Sequence, residues 1–519
     1  MIARLLALLL LLVPAAAAAQ TRDEITGTMR RATTFMVERV ATNGGYVWAY
    51  LPDMSRRWGE IEARPSMIWI QPPGTATMGH LFLDAWHATG DEYYYRAAQA
   101  ATGALIRGQH RSGGWHYFID FAGQASTREW YRTIGANAWR MEEFIHYADN
   151  ATFDDAGTAE AMQLLLRMYL ERRDRRYRAP LNRAIDFVLN SQYPNGGWPQ
   201  RWPHMRDYPA YARYITFNDD VANENIRFLL AVYQSLGETR VRRAIIRAGE
   251  VFIATQQRMP QPGWALQHTL DLRPAAARTY EPLALATHTT ASNLRMMLQF
   301  YRLTGDRRYL ARIPEALDWL ESLRLPPDPN RPRGRDFPTF IEIGTNRAMY
   351  VHRRGSNVVN GAYYWDYDPA HPLGHYGVYR AIDIPALRRA YAEAAAISPE
   401  EARRTSPLAS PGHAPLPRTY VTALDAGSDL NAQAAANPAA AVRTLNAEGW
   451  WPVPLRATSN PYIGPGPRTP PPGDFRGSYV GDSSDTSPYR TDRPVIGIST
   501  ATYIANMVML IEALNARPN

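Results

Sequence analysis

Two pairs of adjacent aspartates are the groups in this sequence best suited to hold a cation. Asp154 and Asp155 stand in ATFDDAGTAEAMQLLLRMY, just before a run with apolar residues at helical spacing. Asp219 and Asp220 stand in ITFNDDVANENIRFLLAVY, in the same position before another such run. A single aspartate there is common as a helix N-cap or as a partner for the helix dipole. Two doubled pairs favour a Ca²⁺ site, because Ca²⁺ takes about six to eight oxygen ligands.

Glycine-bearing loops with an aromatic residue recur along the chain. They are TNGGYVWAY, RSGGWHYFIDF and YPNGGWPQRWP. Trp115 and Trp198 each follow a predicted helix that ends in a glutamine, so the pattern is an internal repeat. If these loops collect at one rim, both tryptophans are candidates to stack on the rings of a bound sugar. The alternative is that the glycines only end helices and the indoles only cap the core.

Three arginines are candidates to contact an acidic substrate. Arg278 follows a run of small residues with little helical pattern, so we expect it in a loop. Arg295 lies further on, within a predicted helix, and Arg353 follows the strand-like stretch FIEIGTNRAMYVH. Taken singly, each is typical of a solvated surface arginine. The functional alternative is a two-point contact between the guanidinium and a carboxylate.

The elements that must position these residues are mostly helices. From about residue 75 to 320, apolar residues at helical spacing alternate with short loops, and β-type alternation is scarce. The predicted fold class is therefore all-α, an (α/α) toroid or barrel with a small irregular β and loop-rich C-terminal part. We expect a helical extension at 21–84, the toroid at 85–355, and an extension at 356–519 whose last helix packs on the toroid.

Composition and the first residues narrow the setting of the protein. MIARLLALLLLLVPAAAAAQ, residues 1–20, is typical of a secretory signal, so we expect a secreted or periplasmic protein. The chain has no cysteine, which excludes disulfides and thiolate metal ligands. Its formal net charge of +8 is carried by arginine alone, because the chain has no lysine. A GC-rich coding sequence would also explain a charge carried by arginine alone. If the charge instead serves a polyanionic partner, the scattered arginines disfavour nucleic acid. We expect an acidic polysaccharide as the partner and a monomeric protein.

The ordered motifs resemble those of the polysaccharide lyase family 10 pectate lyases. They span roughly residues 85–355, and QYPNGGWPQ is the most specific of them. The others, in order, are SGGW, ATFDDAGTAE, ITFNDD, ALQH, ARTYE and EIGTNR. The resemblance implies an (α/α) toroid that cleaves polygalacturonate by β-elimination with Ca²⁺ in its site.

The resemblance also implies roles for individual residues. Asp154 corresponds to the acid at the substrate and the metal, and Asp155 stands where the family usually has asparagine. Asp219 or Asp220 corresponds to a further calcium ligand. Arg278, in ARTYE, corresponds to the arginine that serves as base. By the same resemblance, Arg353 and Arg295 would hold uronate carboxylates.

Two other functions remain open from the residues alone. One is a metal-independent glycoside hydrolase, with Asp154 and either Asp219 or Asp220 as its acid and base. The other is a carbohydrate-binding protein without catalysis, in which the aromatic residues only stack on sugars. For a base other than Arg278, His268 and His288 are the candidates with a more convenient pKa.

Overall fold

The computed structural model describes residues 20–135, 142–354, 362–370, 372, 378–412, 414–417, 420, 431–455 and 495–516. The predicted signal segment therefore lies outside the described residues, apart from Gln20. Much of the predicted C-terminal extension lies outside them too, as does the side chain of Arg353.

Helices make up most of the described chain. The α-helices are α1 Arg22–Phe35, α2 Thr75–Thr89, α3 Glu92–Arg107, α4 Gln124–Thr133, α5 Glu142–Ile145, α6 Gly157–Arg172, α7 Arg178–Ser191, α8 Val221–Leu236, α9 Arg242–Thr255, α10 Thr287–Thr304, α11 Arg308–Ala311, α12 Ile313–Ser322, α13 Ile384–Ala396, α14 Pro399–Thr405, α15 Pro438–Thr444 and α16 Thr500–Asn515. A π-helical turn, Met36–Val40, extends α1. No helix among these described elements is long and apolar enough to cross a membrane.

The helices pack as an inner row and an outer row. Helices α16, α2, α6 and α8 contact one another in that order, and α10 follows through α9. Inner helices such as α2 and α6 are buried on nearly every side, whereas outer helices such as α3, α7 and α9 bury one face. This arrangement of paired helices confirms the predicted all-α, (α/α) toroid class. The last helix, α16, packs on α1 and α2.

Short strands lie between the helices. They are β1 Ala49–Tyr50, β2 Arg57–Trp58, β3 Glu62–Ala63, β4 Met67–Trp69, β5 Phe118–Asp120, β6 Ala151–Thr152, β7 Arg201–Trp202, β8 Ile215–Thr216, β9 Gln267–His268, β10 Pro274–Ala275, β11 Leu285–Ala286, β12 Phe337–Pro338, β13 Phe340–Ile341, β14 Ala348–Arg354, β15 Ala362–Asp366, β16 Tyr379–Arg380, β17 Val453–Pro454 and β18 Ile496–Ser499. The segment 21–84, predicted to be helical, thus contains four strands between α1 and α2.

The strands mark one rim of the helix rows. Strands β4, β6, β8, β11 and β18 each come just before an inner helix, and each pairs antiparallel with a strand from a neighbouring loop. In the pair of β6 with β7, Thr152 lies opposite Arg201. The starts of the inner helices are therefore held side by side at this rim.

The glycine–aromatic loops confirm the predicted internal repeat. Gln109 Nε2 donates to the carbonyl oxygens of Gly113 and Pro180, and Gln192 Nε2 donates to those of Gly196 and Ala244. Each glutamine thereby ties its loop to the next outer helix. Gly113 and Gly196 have positive φ angles, and a Cβ on either would lie about 2 Å from a backbone carbonyl oxygen. Only glycine fits that approach.

Candidate functional site

Two sharp turns at the rim carry the paired acids. Turn 1 is Asp154–Ala156, between β6 and α6, and turn 2 is Asn218–Asp220, between β8 and α8. Asp155 and Asp219 have left-handed backbones, with φ of 49° and 52°, and so do the residues that follow them. Non-glycine residues reach this conformation at a cost of about 1–3 kcal/mol each, and such strain clusters at functional sites.

The two turns meet, as the sequence predicts for a single cation site. Asp154, Asp155 and Asp219 each present a carboxylate oxygen, and these three oxygens lie within 4.8 Å of one another. Asp154 is completely buried, whereas Asp155 and Asp219 are partly exposed. Tyr117 donates its hydroxyl to Asp154 Oδ2 at 2.5 Å. Asp155 and Asp219 are 64 positions apart in the chain. They come together because each turn precedes an inner helix and these helices start side by side at the rim.

Arg278 lies among these acids, also as the sequence predicts. Its guanidinium is 3 % exposed and pairs with Glu281 at 3.0 Å, Asp219 at 3.2 Å, and Asp154 and Glu143 at 3.4 Å. Glu281 contacts both Nε and Nη2, which fixes the plane of the guanidinium. Four carboxyl groups therefore surround one guanidinium, so acids outnumber bases in this cluster.

Three of the acids here were missed by reasoning from the sequence. Glu281 stands in the quoted ARTYE motif, three residues after Arg278, and that spacing was the available signal. Glu143 contacts Arg278 and accepts a hydrogen bond from Tyr280 at 3.1 Å. Glu60 comes from the N-terminal segment 46–74, where no pattern indicates a functional acid. All three are at most 2 % exposed.

Gln71 joins the N-terminal segment to turn 1. Its Nε2 donates to Glu60 Oε2 at 2.9 Å and to Asp155 Oδ2 at 2.8 Å. The indole of Trp69 donates to Gln71 Oε1, and that of Trp48 donates to the Gln71 carbonyl oxygen. Because buried aromatic residues hold Gln71 from two sides, the position of Asp155 depends on residues outside the turn.

The pKa values follow from burial and crowding of like charges. Burial first, and then the charges of Asp154 and Asp219, raise the pKa of Asp155 well above its ordinary value. Burial and the charge of Asp154 raise the pKa of Asp219 in the same way. Burial also acts to raise the pKa of Asp154, but Arg278 and hydrogen bonds outweigh it and lower that pKa. Of the three aspartates, Asp154 is therefore the most firmly ionised.

The donor set fits a calcium ion. Asp154 Oδ1 and Asn218 Oδ1 are buried, and neither oxygen accepts a hydrogen bond of normal geometry from a described residue. Buried oxygens without a donor carry a desolvation cost that a bound cation removes. With Asp155 and Asp219, they give carboxylate and amide oxygens and no nitrogen or sulfur ligand, which is the preference of Ca²⁺.

Asp220, predicted as a metal ligand, is not part of this group. Its side chain is exposed and accepts hydrogen bonds from Asn223 Nδ2 at 2.7 Å and Ser292 Oγ at 3.0 Å. The left-handed turn aims the side chain of Asp219 at the cluster and that of Asp220 away from it. The prediction is therefore corrected: of this pair, Asp219 faces the other acids.

The prediction that the two tryptophans stack on sugar rings is also corrected. Trp115 and Trp198 are completely buried, so neither face of either indole can stack on a sugar in this structure. Their Nε1 groups donate to the carbonyl oxygens of Leu105 and Val188, near the ends of α3 and α7. These contacts fit the alternative interpretation, in which the indoles cap the core behind each loop.

The other predicted residues lie further from the acids. Arg295 is exposed on α10, one turn after Ser292, which donates to Asp220. Arg353 lies in β14 opposite Tyr363, and its side chain is outside the described part. His268 is completely buried, and burial lowers its pKa to about 3, which makes it a weak base. Burial likewise lowers the pKa of His288.

Comparison with known families agrees with the geometry. Residues 121–301 match the family model of pectic acid lyases. This range includes both turns and Arg278, and it is about a third of the chain. The match confirms the resemblance predicted from the ordered motifs. A search of curated proteins finds no match.

Similar solved structures are distant. A family 10 polysaccharide lyase from Cellvibrio cellulosa is 18 % identical, covers 53 % of this chain and 84 % of its own, and has a TM-score of 0.37. A mutant of that lyase in complex with trigalacturonic acid is 18 % identical over 56 % of this chain and 88 % of its own, with a TM-score of 0.38. An α-1,6-mannanase from Salegentibacter sp. HEL1_6 is 12 % identical, covers 95 % of this chain and 99 % of its own, and has a TM-score of 0.37.

Proposed function

We propose that this chain, a pectate lyase-like polysaccharide lyase, cleaves polygalacturonate or a related acidic polysaccharide by Ca²⁺-assisted β-elimination. The observation that carries the proposal is the meeting of turn 1, turn 2 and Arg278 in one cluster. The family match over residues 121–301 supports the reaction class. The excess of acid over base in the cluster supports a divalent cation as cofactor.

β-Elimination removes the proton on C5 of a uronate and breaks the bond between C4 and O4. The electron pair of the C5–H bond becomes the C4–C5 double bond, and O4 leaves with its bonding pair and takes up a proton from solvent water. When bound, Ca²⁺ would neutralise the neighbouring uronate carboxylate and so acidify the C5 proton. Asp154, Asp155 and Asp219 are the residues that would hold the ion, with the amide oxygen of Asn218 beside them.

Arg278 is the residue we assign to proton transfer at C5. Free guanidinium has a pKa above about 12, so it must release a proton before it can accept one. Glu281, which contacts Nε and Nη2 together, is placed to hold that proton. The surrounding carboxylates oppose the release, so the base role requires that Asp154 and Asp219 be charge-compensated. Calcium dependence is thus a condition of this mechanism.

A metal-independent glycoside hydrolase is the second candidate, and the site favours it less. A glycosidase needs two carboxyl groups that flank a sugar, about 5–9.5 Å apart, with separate roles as acid and base or nucleophile. Here the oxygens of Asp154 and Asp219 lie within 4.8 Å, and one guanidinium contacts both carboxylates. Acids held this way are arranged around a common cation rather than across a glycosidic bond.

We also propose that the protein acts outside the cytoplasm. The predicted signal segment at 1–20 supports this, and a polymeric substrate is met outside the cell. N-terminal sequencing of the protein recovered from the periplasm and from the medium would test it. An N-terminus near residue 21 is expected, and an uncleaved cytoplasmic chain would contradict the proposal.

The test of function is a spectrophotometric assay of the purified protein. Polygalacturonate, alginate and glucuronan are each incubated with Ca²⁺ and with EDTA, and the ultraviolet absorbance of an unsaturated uronate is followed. We expect absorbance to rise on polygalacturonate with Ca²⁺ and to stay flat with EDTA. New reducing ends without this absorbance would instead establish a hydrolase.

Variants connect the activity to the cluster. Arg278→Ala and Asp154→Ala are expected to abolish cleavage while the helical circular dichroism is unchanged. Arg243→Ala is a matched control, because Arg243 is exposed on the outer helix α9. Should Arg278→Ala keep the parental rate, the assignment of Arg278 to proton transfer is wrong.

A further inference from the structure

Arg201 is a buried arginine next to the acid cluster that none of the steps above uses. It is 1 % exposed and lies in β7. Its partner in the strand pair is Thr152, which is two residues before Asp154. Tyr117 separates it from the cluster: the ring lies 5.0 Å from the guanidinium carbon of Arg201, and its hydroxyl donates to Asp154. One aromatic ring therefore stands between Arg201 and the proposed calcium ligands.

The hydrogen bonds of Arg201 use one end of its guanidinium. Nη1 donates to His116 Nε2 at 3.2 Å and to Asn150 Oδ1 at 3.3 Å. Burial, with the charge of Arg201 next, lowers the pKa of His116 well below its ordinary value, so this histidine is a neutral acceptor. Nε and Nη2 are buried and find no acceptor among the described residues. The ion pairs among those residues include none to Arg201.

The free edge of this guanidinium is the one that carboxylates prefer. Nε–H and the nearer Nη2–H point in parallel and match the two oxygens of a carboxylate. A buried cation without a paired anion carries a cost of several kcal/mol, which natural cores rarely accept. Tyrosine rings on two sides, Tyr117 and Tyr208 at 5.0 and 4.9 Å, exclude water from Arg201 without supplying a charge.

We propose that the Nε–Nη2 edge of Arg201 binds the carboxylate of a uronate residue of the substrate, in a subsite beside the one at Asp154. The inference rests on the proposed function for the identity of the polymer. It assigns a substrate-binding residue that lies in the motif PNGGWPQRWP but had no role from the sequence. Selectivity for acidic over esterified sugar units follows, because a methyl ester cannot accept both hydrogen bonds with a full charge.

Access to Arg201 requires a covering segment to move. Residues 203–214, the cover segment, place the ring of Tyr208 over Arg201, and Arg213 Nη2 donates to the Met205 carbonyl oxygen within the segment. Tyr208, Tyr211 and their neighbours form a small apolar cluster separate from the main core, and it also contacts Ala277 beside Arg278. Opening the cover segment therefore has to break this small cluster and the hydrogen bonds that Tyr193 and Asn150 donate to the carbonyl oxygens of Arg213 and Pro203.

The test compares Arg201→Met with the parental protein on substrates that differ in charge. We expect the KM for polygalacturonate to rise about tenfold to a hundredfold, the size of a charged two-point contact, with a smaller change in kcat. The KM for highly methyl-esterified pectin should change little. Equal KM values for polygalacturonate in the two proteins would overturn the proposal.

Direct binding separates this inference from the reaction. Trigalacturonate is titrated with Ca²⁺ into the inactive Arg278→Ala protein and into the same protein with Arg201→Met. We expect affinity to fall about tenfold or more with Arg201→Met. If the parental protein makes no unsaturated product but binding still depends on Arg201, the lyase function fails and this subsite stands. If the parental protein forms the unsaturated product but Arg201→Met leaves the affinity for trigalacturonate unchanged, the subsite proposal is wrong and the lyase function stands.

A stability measurement excludes a purely structural role. Removing an unpaired buried charge should leave the free energy of unfolding of Arg201→Met unchanged or raised. A loss of several kcal/mol together with parental affinity for trigalacturonate would mean that Arg201 serves an internal partner, and would overturn the proposal. Arg201→Lys keeps the charge but not the two-point contact, so it should recover little of the lost affinity.

Motion of the cover segment has its own readout. The chain has no cysteine, so Asp207→Cys carries a single fluorophore on the exposed part of the segment. Adding trigalacturonate should change the emission of this fluorophore in the Arg278→Ala protein. It should not change the emission in the protein that carries both Arg278→Ala and Arg201→Met. If trigalacturonate changes the emission in neither protein, the requirement that the cover segment opens is overturned.

Discussion

Turn 1 and turn 2 have the same backbone and different side chains. Each follows a two-residue strand and a phenylalanine, and each has two successive left-handed residues before an inner helix begins. Asp155 and Asp219 occupy the same position, and both face the acid cluster. The backbone alone therefore aims one acid from each turn at a common point.

The difference lies at the first and third positions. Turn 1 has Asp154 where turn 2 has Asn218, and turn 2 has Asp220 where turn 1 has Ala156. Asp154 is buried against Tyr117 and Arg278, whereas Asp220 is exposed and bonded to Asn223 and Ser292. The first position thus determines the charge inside the cluster, and the third position has a role in packing between helices.

The largest effect is expected from making turn 1 like turn 2. Asp154→Asn keeps the shape of the side chain but removes the most firmly ionised of the three aspartates. Cleavage should fall by at least about a hundredfold, because a charge at the reacting centre is lost. The initial rate of absorbance increase on polygalacturonate measures it. A rate within about threefold of the parental one would contradict a role for Asp154 at the site.

The reciprocal change makes turn 2 like turn 1. Asn218→Asp gives turn 2 the first residue of turn 1 and adds a like charge to a crowded site. We expect a lower melting temperature without Ca²⁺ and a larger rise in melting temperature on adding Ca²⁺ than in the parental protein. A calorimetric melting curve with EDTA and with Ca²⁺ measures both. A melting temperature that does not change with Ca²⁺ would contradict the prediction that the first residue of turn 2 lies at a calcium site.

The next effect distinguishes the second and third positions of turn 2. Asp219→Asn should weaken calcium binding by about tenfold or more, since the charge of the ligands tunes the affinity. Asp220→Asn is the matched control, and its affinity should stay within about threefold because it faces away. Equal losses in the two variants would mean that both aspartates contact the ion. Calorimetric titration with Ca²⁺ measures each affinity.

A smaller effect is expected in the pH dependence of stability. Burial, and then the charge of Glu143, raise the pKa of Glu60 from 4.5 to about 8. Between these values the folded state keeps a proton that the unfolded state releases, so stability falls as pH rises through this range. Urea unfolding in EDTA should give a falling free energy from about pH 5 to 8. Glu60→Gln should flatten this decline, and an unchanged slope would contradict the assignment.

The smallest effect on function is expected at the loops that precede the turns. Trp198→Phe should lower the free energy of unfolding by about 1–3 kcal/mol, because it leaves a cavity and removes the Nε1 hydrogen bond to Val188. The KM for polygalacturonate should not change. A raised KM with parental stability would restore the predicted stacking on sugar.

Much of the site was predictable because its motifs have local signals. The two acid pairs stand at helix starts, and helical spacing made those starts visible at Asp154 and Asp219. Arg278 was placed by resemblance to a family motif rather than by any pattern of its own. The inner and outer helices followed from apolar spacing, and this part of the fold is confirmed.

The rest could not be predicted for physical reasons. Whether Asp219 or Asp220 faces the cluster depends on a left-handed turn that neither residue type dictates. Glu60 reaches the site only through tertiary packing around Gln71. The repeated tryptophans resembled a sugar platform, because the sequence does not distinguish a buried indole from an exposed one. The rim strands were missed because most are two residues long, too short for an alternating pattern.

If both turns hold one ion, a calcium titration of the metal-stripped protein should find a single site that depends on both of them. Parental protein, Asp155→Asn and Asp219→Asn are compared by isothermal calorimetry. We predict one Ca²⁺ per chain in the parental protein, and weakening of that same ion in either variant. Two independent ions, each lost in only one variant, would contradict the account, as would a parental protein that binds none.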